Sequence, residues 1–149
     1  KNKPARRCCK EEIPMVKVIM GLKGSGKTKQ LVKDINEAVQ SETGSVVCVE
    51  FGKKLTYDID YRVRLIDAKE YNITDVTLLK GFISGLHAGN FDITHVFIES
   101  LYKLIGEDRA TGEAFVAWCE EFGAANDMRF TITISDEPAQ ASEAMKKYL

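Results

Sequence analysis

The chain contains no apolar run that approaches the length of a membrane span. Residues 1–13 carry charge but no apolar core of the kind a secretory signal needs, so the expected location is cytoplasmic. Charge of one sign is not in excess. Lys and Arg number 21, Asp and Glu 22, and the formal net charge is −1. That balance gives no whole-surface footprint for nucleic acid or anionic membrane, so neither is indicated as a partner. Cysteine is sparse, and Cys8, Cys9, Cys48 and Cys119 have neither metal-site nor C-x-x-C spacing. They read as free thiols in a reducing compartment. There is no internal repeat and no low-complexity segment. A length of 149 residues suits one domain with a sizeable core. We divide it into a basic, poorly ordered arm over 1–13 and a single domain over 14–149.

Against these absences stands one stretch, Gly21-Leu22-Lys23-Gly24-Ser25-Gly26-Lys27-Thr28. It satisfies G-x-x-x-x-G-K-[ST], the phosphate-binding loop or Walker A motif. By average residue usage the fixed positions coincide by chance in roughly one chain in two hundred of this length. Each residue type has a physical reason. The glycines let backbone N–H groups approach phosphate oxygens. Lys27 is a point positive charge for the β- and γ-phosphates, and the Thr28 hydroxyl is a ligand for Mg²⁺. The flanks fit as well. Met15–Met20 is an apolar run that reads as a buried strand, and Leu31, Val32, Ile35, Ala38 and Val39 share one helical face. Strand, Gly-rich loop and helix are the context the motif requires. Asn-Lys-x-Asp, the usual guanine-reading sequence, does not occur, so ATP is expected rather than GTP.

The remainder alternates strand and helix. Strands are expected at 45–51, 61–68, 94–99 and 129–135, with a hairpin-like excursion over Leu55–Asp60. Thr74 or Asp75 is placed to cap a helix ending at Gly89-Asn90, and Thr111 to cap the next. Pro138 opens a short terminal helix. Strands alternating with helices imply a parallel sheet covered on both faces. The expected fold class is therefore α/β, a P-loop NTPase three-layer sandwich with a mainly parallel sheet.

Two strands end in carboxylates. Open α/β sheets place their chemistry at the carboxyl ends of strands. Glu99 ends an apolar strand and reads as the Walker B residue, a partner for Mg²⁺. Ser100 follows it where an adjacent acid would serve as base, so Glu50, at the end of the strand after the P-loop helix, is the candidate to orient or deprotonate water.

These residues carry a resemblance. A strand ending in Glu after the P-loop unit, and then Ile98-Glu99-Ser100-Leu101, resemble the RecA/KaiC branch of P-loop ATPases, which includes DnaB-type helicases. The chain is also similar to short bacterial P-loop ATP-binding proteins, some labelled as twitching-motility proteins. The resemblance spans most of 15–136. It implies RecA-like strand order, with 131–135 inserted between the Walker A and Walker B strands and Ser135 sensing the γ-phosphate. It assigns Lys27, Glu50, Glu99 and Ser135 to catalysis and Thr28 and Glu99 to the metal. The implied activity is Mg²⁺-dependent hydrolysis of the β–γ bond of ATP, with a homo-oligomer or a protein partner. Two alternatives stay open. One is a nucleoside or metabolite kinase of thymidine-kinase-like build, although arginines are few and no lid insertion is visible. The other is an ATP-controlled binding module with little turnover.

Overall fold

A computed structural model describes residues 14–149; the arm expected at 1–13, with Cys8 and Cys9, lies outside them. Five strands form one sheet: β1 (Val16–Gly21), β2 (Ser45–Glu50), β3 (Arg64–Asp67), β4 (Ile93–Ile98) and β5 (Arg129–Ser135). Their spatial order is β1-β5-β4-β2-β3, and every neighbouring pair is parallel. The helices are α1 (Lys27–Ser41), α2 (Val76–Gly89), α3 (Leu101–Ile105), α4 (Arg109–Asn126) and α5 (Glu143–Lys146).

Apolar residues of the strands fall on both faces of the sheet, because both faces are covered. Alternation along β2 divides them. Val46 and Cys48 pack with Phe97 against Leu31, Ile35 and Ala38 of α1. Val47 and Val49 face the other way, into a cluster with Leu79 and Ile83 of α2, Leu101 and Leu104 of α3, and Phe115 and Val116 of α4. The result is three layers, with α1 on one side and the remaining helices on the other. Leu31 and Ile35 are 0% exposed, and burial of each is worth about 1.5–3 kcal/mol. Cys48 and Cys119 are free and buried, and loss of solvation pushes both thiols up, away from the reactive thiolate form. Among the described residues, no helix is long and apolar enough to cross a membrane.

Several boundaries differ from expectation for local reasons. Leu55–Asp60 forms turns instead of a hairpin, with Leu55 drawn into the α1 cluster. The strand expected over 61–68 shortens to β3 at both ends: a turn before it is closed by Val63 N donating to Asp60 O (3.0 Å), and after it the Asp67 side chain accepts from Lys69 N (3.0 Å) and starts a 3₁₀ turn at Ala68–Tyr71. Asp75 caps α2 through Leu78 N (2.8 Å), as expected. Thr111 is not the cap of α4; Asp108 is, accepting from Ala110 N (3.1 Å), while the Thr111 hydroxyl donates to the same carboxylate (2.8 Å). Asp leads Thr as a cap, and here it takes both donors. Pro138 opens only a 3₁₀ turn, Pro138–Gln140; α5 starts afresh behind the Ser142 cap.

Candidate functional site

Parallel pairing brings the carboxyl ends of β1, β5, β4 and β2 to one edge. Gly21 is in register with Ser135, Ile98 with Ile132, and Val49 with Ile98. The ladder continues one residue further where Glu99 N donates to Val49 O (2.9 Å). Glycine is required at two points of the P-loop. A Cβ on Gly21 would lie 2.3 Å from Ser25 Oγ, and Gly26 has φ +89°, in the left-handed region that favours glycine. The loop is closed by Ser25 N donating to Leu22 O (3.1 Å) and by Lys27 Nζ donating to the same carbonyl (3.0 Å). Gly26 caps α1 with no side-chain acceptor, and no acid occupies the first turn. The leading N–H groups of this 15-residue helix and its positive dipole end are thus left to an anion.

Above the loop lies a cleft of about 660 Å³. One wall is P-loop and early α1: Lys23, Gly24, Gly26, Lys27, Thr28 and Lys29. The rest of the lining comes from Lys54 and Leu55 in the segment after β2, with Glu99, Ser100 and Lys103 from the end of β4 and α3. Ser135 completes the rim beside Gly21. The structure therefore brings together the P-loop, Thr28, Glu99 and Ser135.

Glu99 is 6% exposed. Its Oε1 accepts from the Ser100 hydroxyl (2.6 Å), whereas Oε2 is buried without a hydrogen-bond partner. An orphaned carboxylate oxygen is costly unless something meets it. Its place in the same cleft as the Thr28 hydroxyl fits a hard cation that takes oxygen ligands, such as Mg²⁺. Among the described residues no three acidic, His or Cys side chains cluster as a metal cage. Mg²⁺ suits such a place, since it draws most of its shell from phosphate and water.

Ser100 is held in the left-handed region, φ 56° and ψ 66°, an arrangement that costs a non-glycine residue about 1–3 kcal/mol. Its N–H is anchored by Thr133 Oγ1 (2.7 Å), from the middle of β5. This bond turns the chain sharply out of β4, keeping Glu99 at the mouth of the sheet.

Glu50 is placed differently. It is 1% exposed and does not line the cleft. Oε1 accepts from Lys54 N (2.8 Å) and Leu55 N (3.3 Å); Oε2 makes only a longer contact to Leu55 N (3.4 Å). The two residues it holds do line the cleft, so Glu50 stands one layer behind the wall. Burial pushes its carboxyl up; the two backbone donors offset part of this, and the charges of Glu99 and Asp67 add to the rise. Asp67 secures the same segment from below by accepting from Gly52 N (2.8 Å).

Arg109, at the start of α4, has its Nε and Nη2 gripping Asp136 at 2.7 and 2.8 Å. Lys53 pairs with Glu70 (2.8 Å) away from the cleft, whereas its neighbour Lys54 is on the wall. Sequence reasoning missed Lys103 and Thr133. Lys103 is one helical turn beyond Glu99, and Thr133 is one of two buried threonines in β5.

No protein-family model matches the chain, and no curated protein matches it. Among solved structures it is similar to the flagellar accessory protein FlaH from Methanocaldococcus jannaschii, with 14% sequence identity, a TM-score of 0.56 and 89% of this chain covered. The chain spans 65% of that protein's length. A likeness at this identity speaks to the fold. The chain has the α/β, P-loop NTPase-like three-layer sandwich with a parallel sheet, and β5 lies between the P-loop strand and β4, the strand order expected from the sequence.

Proposed function

We propose that this chain is a RecA/KaiC-like ATPase that binds ATP with Mg²⁺ in the P-loop cleft and hydrolyses the β–γ phosphate bond. The observation that carries the reading is the pairing, across one cleft, of the Lys27–Thr28 wall with the unpartnered Oε2 of Glu99. The P-loop N–H groups and Lys27 hold the phosphates. Thr28 and Glu99 would hold Mg²⁺, which when bound neutralises charge developing on the phosphates. Ser135, on the rim beside Gly21, is placed to donate its hydroxyl to the terminal phosphate. Glu50 is the candidate for the group that takes the proton of the attacking water. The upward push on its carboxyl is the direction a base working near neutral pH needs, and Oε2 is the less engaged oxygen. A second copy or a protein partner belongs to the same reading.

One observation favours a second reading, an ATP-controlled binding module: Glu99 is the only carboxylate among the described residues on the cleft wall, Glu50 being tied to the backbone behind it. The kinase reading has less support, since no arginine lines the cleft among the described residues to enclose a phosphoryl group in transfer. A phosphate-release assay with ATP and Mg²⁺, run with and without candidate partners and with nucleoside phosphorylation monitored, separates the three. Phosphate release without a phosphorylated acceptor supports the ATPase. Binding without turnover moves the module ahead, and a phosphorylated nucleoside or metabolite supports the kinase.

A further inference from the structure

We infer that Lys54 and Lys103, which line the cleft from elements outside the P-loop, form a clamp supplied within the same chain that grips the terminal phosphate of the bound triphosphate. The inference rests on the nucleotide-binding reading above and adds to it the groups that recognise the third phosphate.

The cleft holds five lysines and one carboxylate. Several lysines elsewhere are paired with acids, Lys17 with Asp34, Lys53 with Glu70 and Lys147 with Glu120, while Lys69 and Lys80 lie over the Phe51 and Trp118 rings. Lys54 and Lys103 have no such ion pair among the described residues, and their side chains lie beside one another. Two ammonium groups held together repel unless an anion is shared between them. The Lys54 side chain, then burial, hold the Lys103 ammonium below its ordinary 10.5; Lys23 adds to the lowering, and only Glu99 opposes it.

Both lysines are on anchored backbone. Lys54 N is fixed by Glu50 Oε1 (2.8 Å), and Lys103 N donates to Ser100 O (3.0 Å) at the start of α3. The wall therefore presents two cations at a set place. The P-loop already accounts for the inner phosphates and, through Lys27, the β–γ region. Cations that line the cleft outside the loop are left with whatever projects away from the loop, which is the γ-phosphate. Phosphoryl transfer needs positive charge there, often from an arginine. No arginine lines the cleft among the described residues, and Arg109, which follows α3 in the chain, is gripped by Asp136.

The test measures Mg²⁺-dependent affinity for ADP and for the non-hydrolysable imido analogue of ATP by calorimetry. The proteins are the parent, Lys54→Gln, Lys103→Gln, the double variant and Lys27→Ala. Each Gln substitution is expected to weaken the triphosphate analogue roughly tenfold and ADP less than threefold, the range of a charge-assisted hydrogen bond in a partly exposed site. The double variant should bind the two ligands about equally. Lys53→Gln, which breaks the pair with Glu70 off the cleft, should match the parent. Both lysines are exposed, so the variants should fold, and melting curves check this. If the double variant keeps the parent's preference for the triphosphate while Lys27→Ala has lost both ligands, the clamp is wrong and the P-loop reading stands. Equal losses for ADP and the triphosphate overturn the assignment to the terminal phosphate. A parent that binds neither ligand overturns both proposals.

Discussion

Replacing Glu50 in two ways separates chemistry from architecture. Its Oε1 accepts from the backbone of Lys54 and Leu55, and the side chain is 1% exposed. Glu50→Gln keeps a carbonyl oxygen for those donors and removes only the charge and basicity. Glu50→Ala leaves the buried Leu55 N–H and the part-buried Lys54 N–H without their acceptor. Each orphaned donor costs about 1–3 kcal/mol. For a domain of this size that total lowers the melting temperature by roughly 5–20 °C. Glu50→Gln should melt close to the parent, with a pH signature. Because the folded state raises the Glu50 pKa, the parent's carboxyl contributes stability below the ordinary 4.5, and that contribution is lost as pH rises through the folded value. The Gln variant lacks this loss, so its melting temperature gains on the parent's across that window and runs parallel above it. In single-turnover phosphate release, Glu50→Gln should be slower by roughly two to four powers of ten, with ATP affinity nearly unchanged. Hydrolysis by the Gln variant at the parent's rate would refute the assignment of the base. An Ala variant as stable as the parent would refute the anchoring of the Lys54 segment.

Glu99→Gln is expected to weaken Mg²⁺-dependent ATP affinity and turnover together, because the orphaned Oε2 is lost as a charged partner; metal titrations of the two proteins check this, and an unchanged Mg²⁺ dependence counts against it. Thr133→Val removes the acceptor that holds Ser100 N and should cost about 1–3 kcal/mol, seen as a fall of several degrees in melting temperature; an unaltered melting curve contradicts the role given to that bond. Burial works against the Glu42 carboxylate, but hydrogen bonds from His95 and Thr94 and the charges of His95 and Arg129 outweigh it and hold its pKa below 4.5. Its contribution is therefore present above 4.5 and lost as pH falls through the folded value, so Glu42→Gln should narrow the gap between melting temperatures measured at neutral and at strongly acid pH.

What could be read from the sequence follows from which interactions are local. Arg129–Ser135 was recognisable from end to end because Phe130, Ile132 and Ile134 alternate with the β-branched Thr131 and Thr133. The P-loop is equally local, because its glycines and Lys27 act on one short turn. The second wall is a product of register. Glu50 and Glu99 both end strands and look equivalent in the sequence. In three dimensions Glu99 reaches the cleft, and Glu50 is turned to the backbone that follows it. Lys53 and Lys54 are likewise indistinguishable until Glu70 claims one of them. Lys103 is an ordinary surface charge until the left-handed turn at Ser100 aims α3 beside the P-loop. The Leu55–Asp60 segment misled because Leu55 is buried by α1, a contact distant in the chain.

The central claim is that the cleft above Gly21–Thr28 binds ATP, and a calorimetric titration of ATP with Mg²⁺ into the parent and Lys27→Ala tests it most directly. The account expects one site per chain in the parent and an affinity at least roughly tenfold weaker in the variant, the loss of one charge-assisted contact to phosphate. Equal affinity in the two proteins, or no heat of binding in the parent, would contradict it.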